Sequence, residues 1–345
     1  MKAIVIRNTG EANVLRLETV ADPTPRAGEA VIAVEACGVC FHDVVVRNGT
    51  FKAGIERPLI PGHEVAGRIV ALSGDPQGFA VGDRVATTQR SHICGHCGWC
   101  RSAREPLCDD AQFMGDRGLN GGYAEFVCVG TNNLVKIPNQ VSADQASIAA
   151  CAIGTVLQAV RDIGNVKPAE TVLVTGAGGG LGIHAIQLSR LCGARVIAQT
   201  TSQAKVERIR QAGAHDVVVT SRGTDFSTDL RQLTDGRGVD CAIDTVGTPL
   251  FVSTRKSLAK AARWVLVGQL TGEFVPFNPA QLFLRNISML SATSTTRQGL
   301  ADTLALIAQG AVLPVIDTVM PLSEASAAHR LLEAGSISGR IVLRP

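Results

Sequence analysis

The chain has 345 residues, of which 46% are apolar, 18% charged and 4% aromatic, and its formal net charge is +3. That length exceeds what one hydrophobic core usually supports, so two domains of ordinary size are expected. With no basic stripe and no block of like charges a nucleic-acid partner has little support, and no apolar run reaches the roughly 18 residues that a membrane helix needs.

Residues 1–7 read as an edge strand and lack the charged, apolar and small-residue regions of a secretory leader, so a soluble cytoplasmic protein is expected. Ten cysteines without an export signal point to reduced thiols, used as metal ligands or buried as small side chains, rather than to disulfides. From residue 1 to about 149, β-rich runs at 30–34, 67–72 and 123–129 are broken by Gly, Pro and Asp turn signals, which predicts a mainly β half. Beyond 150, apolar runs at 172–174, 196–198, 217–219, 241–243 and 265–267 alternate with helix-length segments, the pattern of a parallel sheet covered on both faces. A run at 287–292, an amphipathic helix at 297–309 and a closing strand at 341–343 complete the chain.

Three distant stretches carry soft or borderline metal donors: Cys37-Gly38-Val39-Cys40-Phe41-His42-Asp43, then Gly62-His63-Glu64, then Cys151. Spacing alone leaves Cys37 and Cys40 as rival ligands. Further on, Cys94, Cys97, Cys100 and Cys108 form Cys-x2-Cys-x2-Cys-x7-Cys, short enough to wrap four thiolates tetrahedrally round one zinc ion. A closed four-sulfur site has no position for substrate, so it folds its loop and does no chemistry. An iron–sulfur cluster is the other four-cysteine reading. Cys128, Cys192 and Cys241 fall in apolar runs and are expected to be small buried side chains.

The run Thr171-Val172-Leu173-Val174-Thr175 leads directly into Gly176-Ala177-Gly178-Gly179-Gly180-Leu181-Gly182, after which Ala185, Leu188 and Cys192 recur at helical spacing. Glycines there let the backbone approach a pyrophosphate whose charge is met by the helix N-terminus. The last glycine falls one residue late for a plain G-x-G-x-x-G. At the end of the second strand, where an Asp or Glu would hold the ribose hydroxyls, stand Gln199, Thr200, Thr201 and Ser202, and no acidic residue occurs between Gly182 and Glu207. With Lys205 and Arg208 following, the pattern predicts NADP(H) over NAD(H); the plainer alternative has these two cations only solvating a helix face.

Gly62-His63-Glu64-x2-Gly67, Gly82-Asp83-Arg84-Val85 and Gly121-Gly122-Tyr123-Ala124-Glu125, with the cysteine lobe and the Gly-rich half, resemble the zinc-containing alcohol dehydrogenase family of the medium-chain dehydrogenase/reductase superfamily, over essentially the whole chain. The resemblance implies an α/β protein. A Rossmann doubly wound parallel-sheet domain would span 150–295. A mainly β, GroES-like catalytic domain would span 1–149 and 296–345 and carry the structural zinc lobe at 91–110. It also implies a catalytic zinc on Cys40, His63 and Cys151, hence two zinc ions per chain, and it favours Cys40 over Cys37. Glu64 would lie just behind that metal, and Asp43 would hydrogen-bond the ligand histidine and fix its tautomer. Thr245, Val246, Val267 and Gly268 would line the cofactor trough. Arg340 resembles the family arginine that reaches the pyrophosphate, a surface ion pair being its other reading. The substrate would be a small molecule, and a homodimer or homotetramer would form through the strand at 287–292.

The chain departs from this family where alcohol-oxidising members carry Ser or Thr two residues after the first zinc cysteine, because His42 stands there; the relay histidine five residues after that cysteine is Val45. His42 is expected either to act as acid and base beside the reacting oxygen or to shape the pocket. The expected reaction is hydride transfer between NADP(H) and an alcohol, aldehyde or ketone. Reduction of an activated C=C bond is the alternative, since Gly182-Ile183-His184-Ala185-Ile186-Gln187 and residues 243–249 are similar to NADPH-dependent acryloyl-CoA reductases. A non-enzymatic dinucleotide-binding protein holding only the lobe zinc is the third reading. Phe51, Trp99 and Phe113 are candidate pocket walls.

Overall fold

The strand Glu29–Val39 organises the first half of the protein, because its apolar residues are buried along nearly its whole length. It pairs antiparallel with Glu64–Leu72, Phe126–Gly130 and Arg340–Arg344. Arg84–Thr87 and Leu134–Lys136 extend this seven-stranded sheet on one side, and Ile316–Pro321 closes the other. The strand Lys2–Ile6 pairs with Leu15–Thr19 and contributes Ala3, Ile4, Val5 and Ile6 to the core beneath the sheet.

The computed structural model describes residues 1–50, 56–116 and 119–345. The chain divides into one unit of Met1–Gly154, Ser294–Gly310 and Ile316–Pro345, and a second of Thr155–Thr293 with Ala311–Val315. The first boundary falls after Gly154 rather than after 149, because Ala143–Ser147 and the π-helical turn Ala149–Gly154 pack against strands of the first unit. Ala311–Val315 falls to the second unit, where Leu313 exchanges two hydrogen bonds with the Gln187 side chain (2.8 and 2.9 Å) and the Val315 N–H donates to His184 Nε2 (2.9 Å).

In the second unit six strands form an all-parallel sheet. In spatial order they are Asp216–Val219, Arg195–Thr200, Thr171–Val174, Val239–Asp244, Leu258–Leu266 and Ser288–Ser291. Numbered along the chain this order is 3-2-1-4-5-6, the doubly wound Rossmann arrangement, in which ligands bind where the strand order reverses. That switch point lies between Thr171–Val174 and Val239–Asp244, the strands that feed the Gly-rich loop and Thr245-Val246. Among the described residues no helix is long and apolar enough to cross a membrane.

Candidate zinc and dinucleotide sites

Cys40 ends the central strand and caps the helix Phe41–Asn48. The Cys40 N–H donates to Asp43 Oδ2 at 2.9 Å, a capping arrangement that also places a carboxylate at the positive end of the helix. His63 precedes the strand Glu64–Leu72, whose register sets Glu64 opposite Gly38. Cys151 occupies the π-helical turn Ala149–Gly154, a distortion that frequently marks functional positions.

These elements bring donor atoms of Cys40, His63, Glu64 and Cys151 within 4.8 Å of one another. The two sulfurs are 3.9 Å apart; zinc–sulfur bonds of about 2.3 Å at a tetrahedral angle require about 3.8 Å. His63 donates from Nδ1 to Asp43 Oδ1 at 3.2 Å, which leaves Nε2 as the ligating nitrogen. The donor set thus fits a zinc ion. Cys37 is outside it: its thiol is buried and pushed well above the ordinary range, by burial first and then by Asp43 and Glu64.

Glu64 is fully buried, and Arg340 Nη2 lies 2.8 Å from its Oε1. Burial pushes the Glu64 carboxyl up to about 7, against the opposing pull of Arg340. Arg340 also stands 3.5 Å from the Cys40 sulfur and 3.6 Å from that of Cys151. The surface ion-pair reading of Arg340 is therefore corrected, since the residue is 4% exposed and its ion pair lies in the metal cluster. The cation partly offsets a set of anionic ligands that would otherwise concentrate negative charge in a buried site. Cys40 is accordingly held well below the usual thiol range, by the Cys151 hydrogen bond first and also by Arg340.

His42 faces the same cluster. Its ring centroid is 5.3 Å from that of His63 and 4.9 Å from that of Phe113, and its Nε2 is 3.5 Å from the buried Asp116 Oδ2. Asp116 has no local motif to announce it. Trp99 packs against Arg104 at 4.8 Å in the cysteine lobe, and Phe51 lies outside the described residues.

In the lobe, Cys94, Cys97, Cys100 and Cys108 form a second donor group, with the Cys94 and Cys100 sulfurs 3.9 Å apart. Backbone N–H groups of Cys94, Cys97 and Cys100 donate to the sulfurs of Cys108, Cys94 and Cys97. Such bonds favour thiolates, and backbone N–H groups of His96 first and then Cys97 lower the Cys94 thiol to about 6. All ten cysteines are free. Cys241 is buried as expected, whereas Cys128 and Cys192 are half-buried; the Cys128 thiol donates to Glu29 Oε2 at 3.2 Å.

In the second unit, Gly176 adopts φ +59°, and a Cβ on Gly182 would lie 2.4 Å from the Gly176 carbonyl oxygen. Only glycine permits that turn and that closeness of helix to loop. The helix Gly180–Leu191 starts there, and Gly178 and Gly179 form the bend. A Cβ on Gly178 would meet the Lys205 Cδ at 2.6 Å, so the Lys205 stem lies over the loop. Gln199 is buried; its side-chain oxygen accepts from Gly176 N–H (3.3 Å) and its amide donates to Thr220 (3.0 Å). Thr200 Oγ1 accepts from the Ser202 N–H, and Thr201 is exposed. Asp244 is the brace of the neighbouring loops. It accepts from Thr175 Oγ1, the Val246 and Gly247 N–H groups and Trp264 Nε1, and its carbonyl accepts from Val267 and Gly268.

Residues 26–139 match the family model of the alcohol dehydrogenase GroES-like domain, and residues 180–309 that of the zinc-binding dehydrogenase. An acryloyl-coenzyme A reductase of Sulfurisphaera tokodaii is 32% identical, with all of both chains aligned. An NAD-dependent alcohol dehydrogenase of Sulfolobus acidocaldarius is 33% identical over all of this chain and 99% of its own length. Among solved structures, the crystal structure of AibC superposes with a TM-score of 0.92 at 43% identity, covering all of this chain and 96% of that one. The fold and these likenesses agree: the chain is an oxidoreductase and belongs to the zinc-containing alcohol dehydrogenase family of medium-chain dehydrogenases/reductases.

Proposed function

We propose that the protein transfers hydride from NADPH to the carbonyl carbon of a small aldehyde or ketone and, in reverse, from the carbinol carbon of the matching alcohol to NADP+, with zinc on Cys40, His63 and Cys151. The observation that carries this reading is the complete Cys40/His63/Cys151 set, Cys40 and His63 buried and Cys151 half-buried, with tetrahedral sulfur spacing. Zinc bound there would supply Lewis-acid polarisation of a substrate oxygen and the nicotinamide would supply the hydride. Asp43 holds the His63 ring, Arg340 offsets the charge of the sulfurs and Glu64, and Phe113 and His42 wall the space beside them. His42, held near Asp116, stands where a proton must be exchanged with substrate. For the dinucleotide, Gly176, Gly178, Gly179, Gly180, Leu181 and Gly182 receive the pyrophosphate. Thr245, Val246, Val267 and Gly268 flank it at the switch point. Thr200, Thr201, Ser202 and Lys205 accept a 2′-phosphate that no carboxylate there repels. Relatives named NAD-dependent pull the other way, so kcat/KM with NADPH against NADH is the deciding measurement; a clear NADH preference overturns the cofactor choice.

Reduction of a C=C bond conjugated to a carbonyl is the second reading, favoured by His42 in place of the usual hydroxyl and by two relatives named acryloyl-coenzyme A reductase. Nicotinamide oxidation measured against matched panels of aldehydes and α,β-unsaturated carbonyls, with and without chelator, separates the two. Turnover of the unsaturated panel alone overturns the first. Two zinc ions per chain are expected; one would favour a non-catalytic dinucleotide-binding protein. A cytoplasmic homodimer or homotetramer, assembled through the edge strand Ser288–Ser291, is expected by likeness to the family.

A further inference from the structure

Behind the zinc site a line of buried polar side chains runs from Asp43 to the helix Ala325–Glu333. Tyr123 Oη lies 3.3 Å from Asp43 Oδ2 and 3.2 Å from His329 Nε2. His329 Nδ1 lies 3.5 Å from Arg47 Nη1, and the Arg47 guanidinium forms a bidentate pair with Glu333 at 2.5 and 3.1 Å. Asp43, Tyr123 and His329 are 0% exposed and Arg47 1%, whereas the Glu333 side chain is 36% exposed.

Donor and acceptor capacities give this line one direction. A guanidinium only donates, so His329 Nδ1 must accept. The ring is neutral, because burial lowers His329 to about 4, and its single proton therefore sits on Nε2 and is given to Tyr123 Oη. The Tyr123 hydroxyl hydrogen is then committed to Asp43 Oδ2, which also takes the Cys40 N–H. With Oδ2 satisfied, Oδ1 receives the His63 Nδ1–H.

We propose that Arg47, His329 and Tyr123 form a one-way donor chain that orients Asp43 and, through it, the metal-binding face of His63. Tyr123 and His329 are then positioning residues for the zinc centre, contributed by segments that hold no ligand. The inference rests on the reading of Cys40, His63 and Cys151 as a zinc site, so the zinc content of the wild type is measured first.

The test uses the full-length holoenzyme, Tyr123→Phe, His329→Leu and His329→Gln, the last keeping an amide N–H to offer Tyr123. Zinc is titrated against a chromogenic chelator, and visible spectra are taken with cobalt in the buried site. Removing partners one shell nearer to a metal typically weakens it 10- to 100-fold, and about 3- to 10-fold is expected here for Tyr123→Phe and His329→Leu. The cobalt bands should shift, the lobe zinc should hold as in the wild type, and His329→Gln should recover part of the affinity. Unchanged affinity and spectra in both variants overturn the proposal, as does a lower Tm without either change, which would show a packing role only. A wild type with one zinc per chain overturns the reading of the site itself.

Discussion

In the cysteine lobe four sulfurs come from one short loop, 94–108, and the backbone itself turns N–H groups toward them. In the buried cluster Cys40, His63 and Cys151 come from the end of a strand, the start of another and a π-helical turn, and side chains hold them: Asp43 on His63, Arg340 against Glu64 and the sulfurs. A local site needs only its own loop to form, and its metal in turn stabilises that loop. An assembled site needs the whole sheet in register, and in return it gains burial and neighbouring charges, the conditions that make a metal centre reactive.

The largest expected effect separates chemistry from folding. His63→Ala should lower kcat/KM by at least about 10³-fold, the scale of losing a Lewis acid that supplies several kcal/mol. It should leave the lobe zinc and the far-UV circular dichroism unchanged. An active His63→Ala enzyme would show that the buried cluster is not the reacting site. Cys97→Ala should do the reverse. Losing the lobe metal is expected to cost about 3 kcal/mol and so about 10 °C in Tm, with one zinc missing by elemental analysis. Its kcat should stay within about threefold of the wild type. A variant that keeps its Tm would deny the lobe its folding role. A smaller effect is expected from Asp43→Asn, which keeps the shape but weakens the acceptor for His63: about 10- to 100-fold lower zinc affinity in the buried site alone, read by chelator competition.

The same contrast explains what the sequence made legible. Cys94, Cys97, Cys100 and Cys108 announce themselves by spacing, and the apolar runs that became the parallel sheet do so by continuous burial. Gly176 to Gly182 read correctly as a strand-to-helix turn because steric demands there are local. Cys40, His63 and Cys151 were found by family likeness, not by spacing, because only the fold joins them. Asp116, His329 and Arg47 carry no local signal: their partners are far away in sequence, and an isolated His or Arg has the same pattern on any amphipathic helix. Of the two readings of Arg340, the pyrophosphate contact and the surface ion pair, the second fails for a related reason, since nothing near it in sequence reveals that Glu64 lies across the sheet.

The last prediction sharpens the contrast through pH, at a group three hydrogen bonds removed from the metal ligand His63. His329 is neutral and fully buried, with its proton affinity lowered to about 4 by burial and by Arg47, against the partial opposition of Asp43 and Glu333. In the unfolded chain it titrates near 6.5. At pH 7 both states are neutral and the group adds no pH dependence. As pH falls below 6.5 the unfolded chain binds a proton that the folded protein refuses, so stability declines until about pH 4, below which both states are protonated and the decline stops. At pH 5 the loss is roughly 2 kcal/mol. His329→Gln cannot bind that proton, so the stability difference between wild type and variant, from urea unfolding at pH 7 and pH 5, should shift by that amount in the variant's favour at the lower pH. No cysteine of the lobe should contribute to this difference. Parallel pH curves for the two proteins would mean that His329 accepts a proton in the folded state, which the donor from Arg47 does not allow.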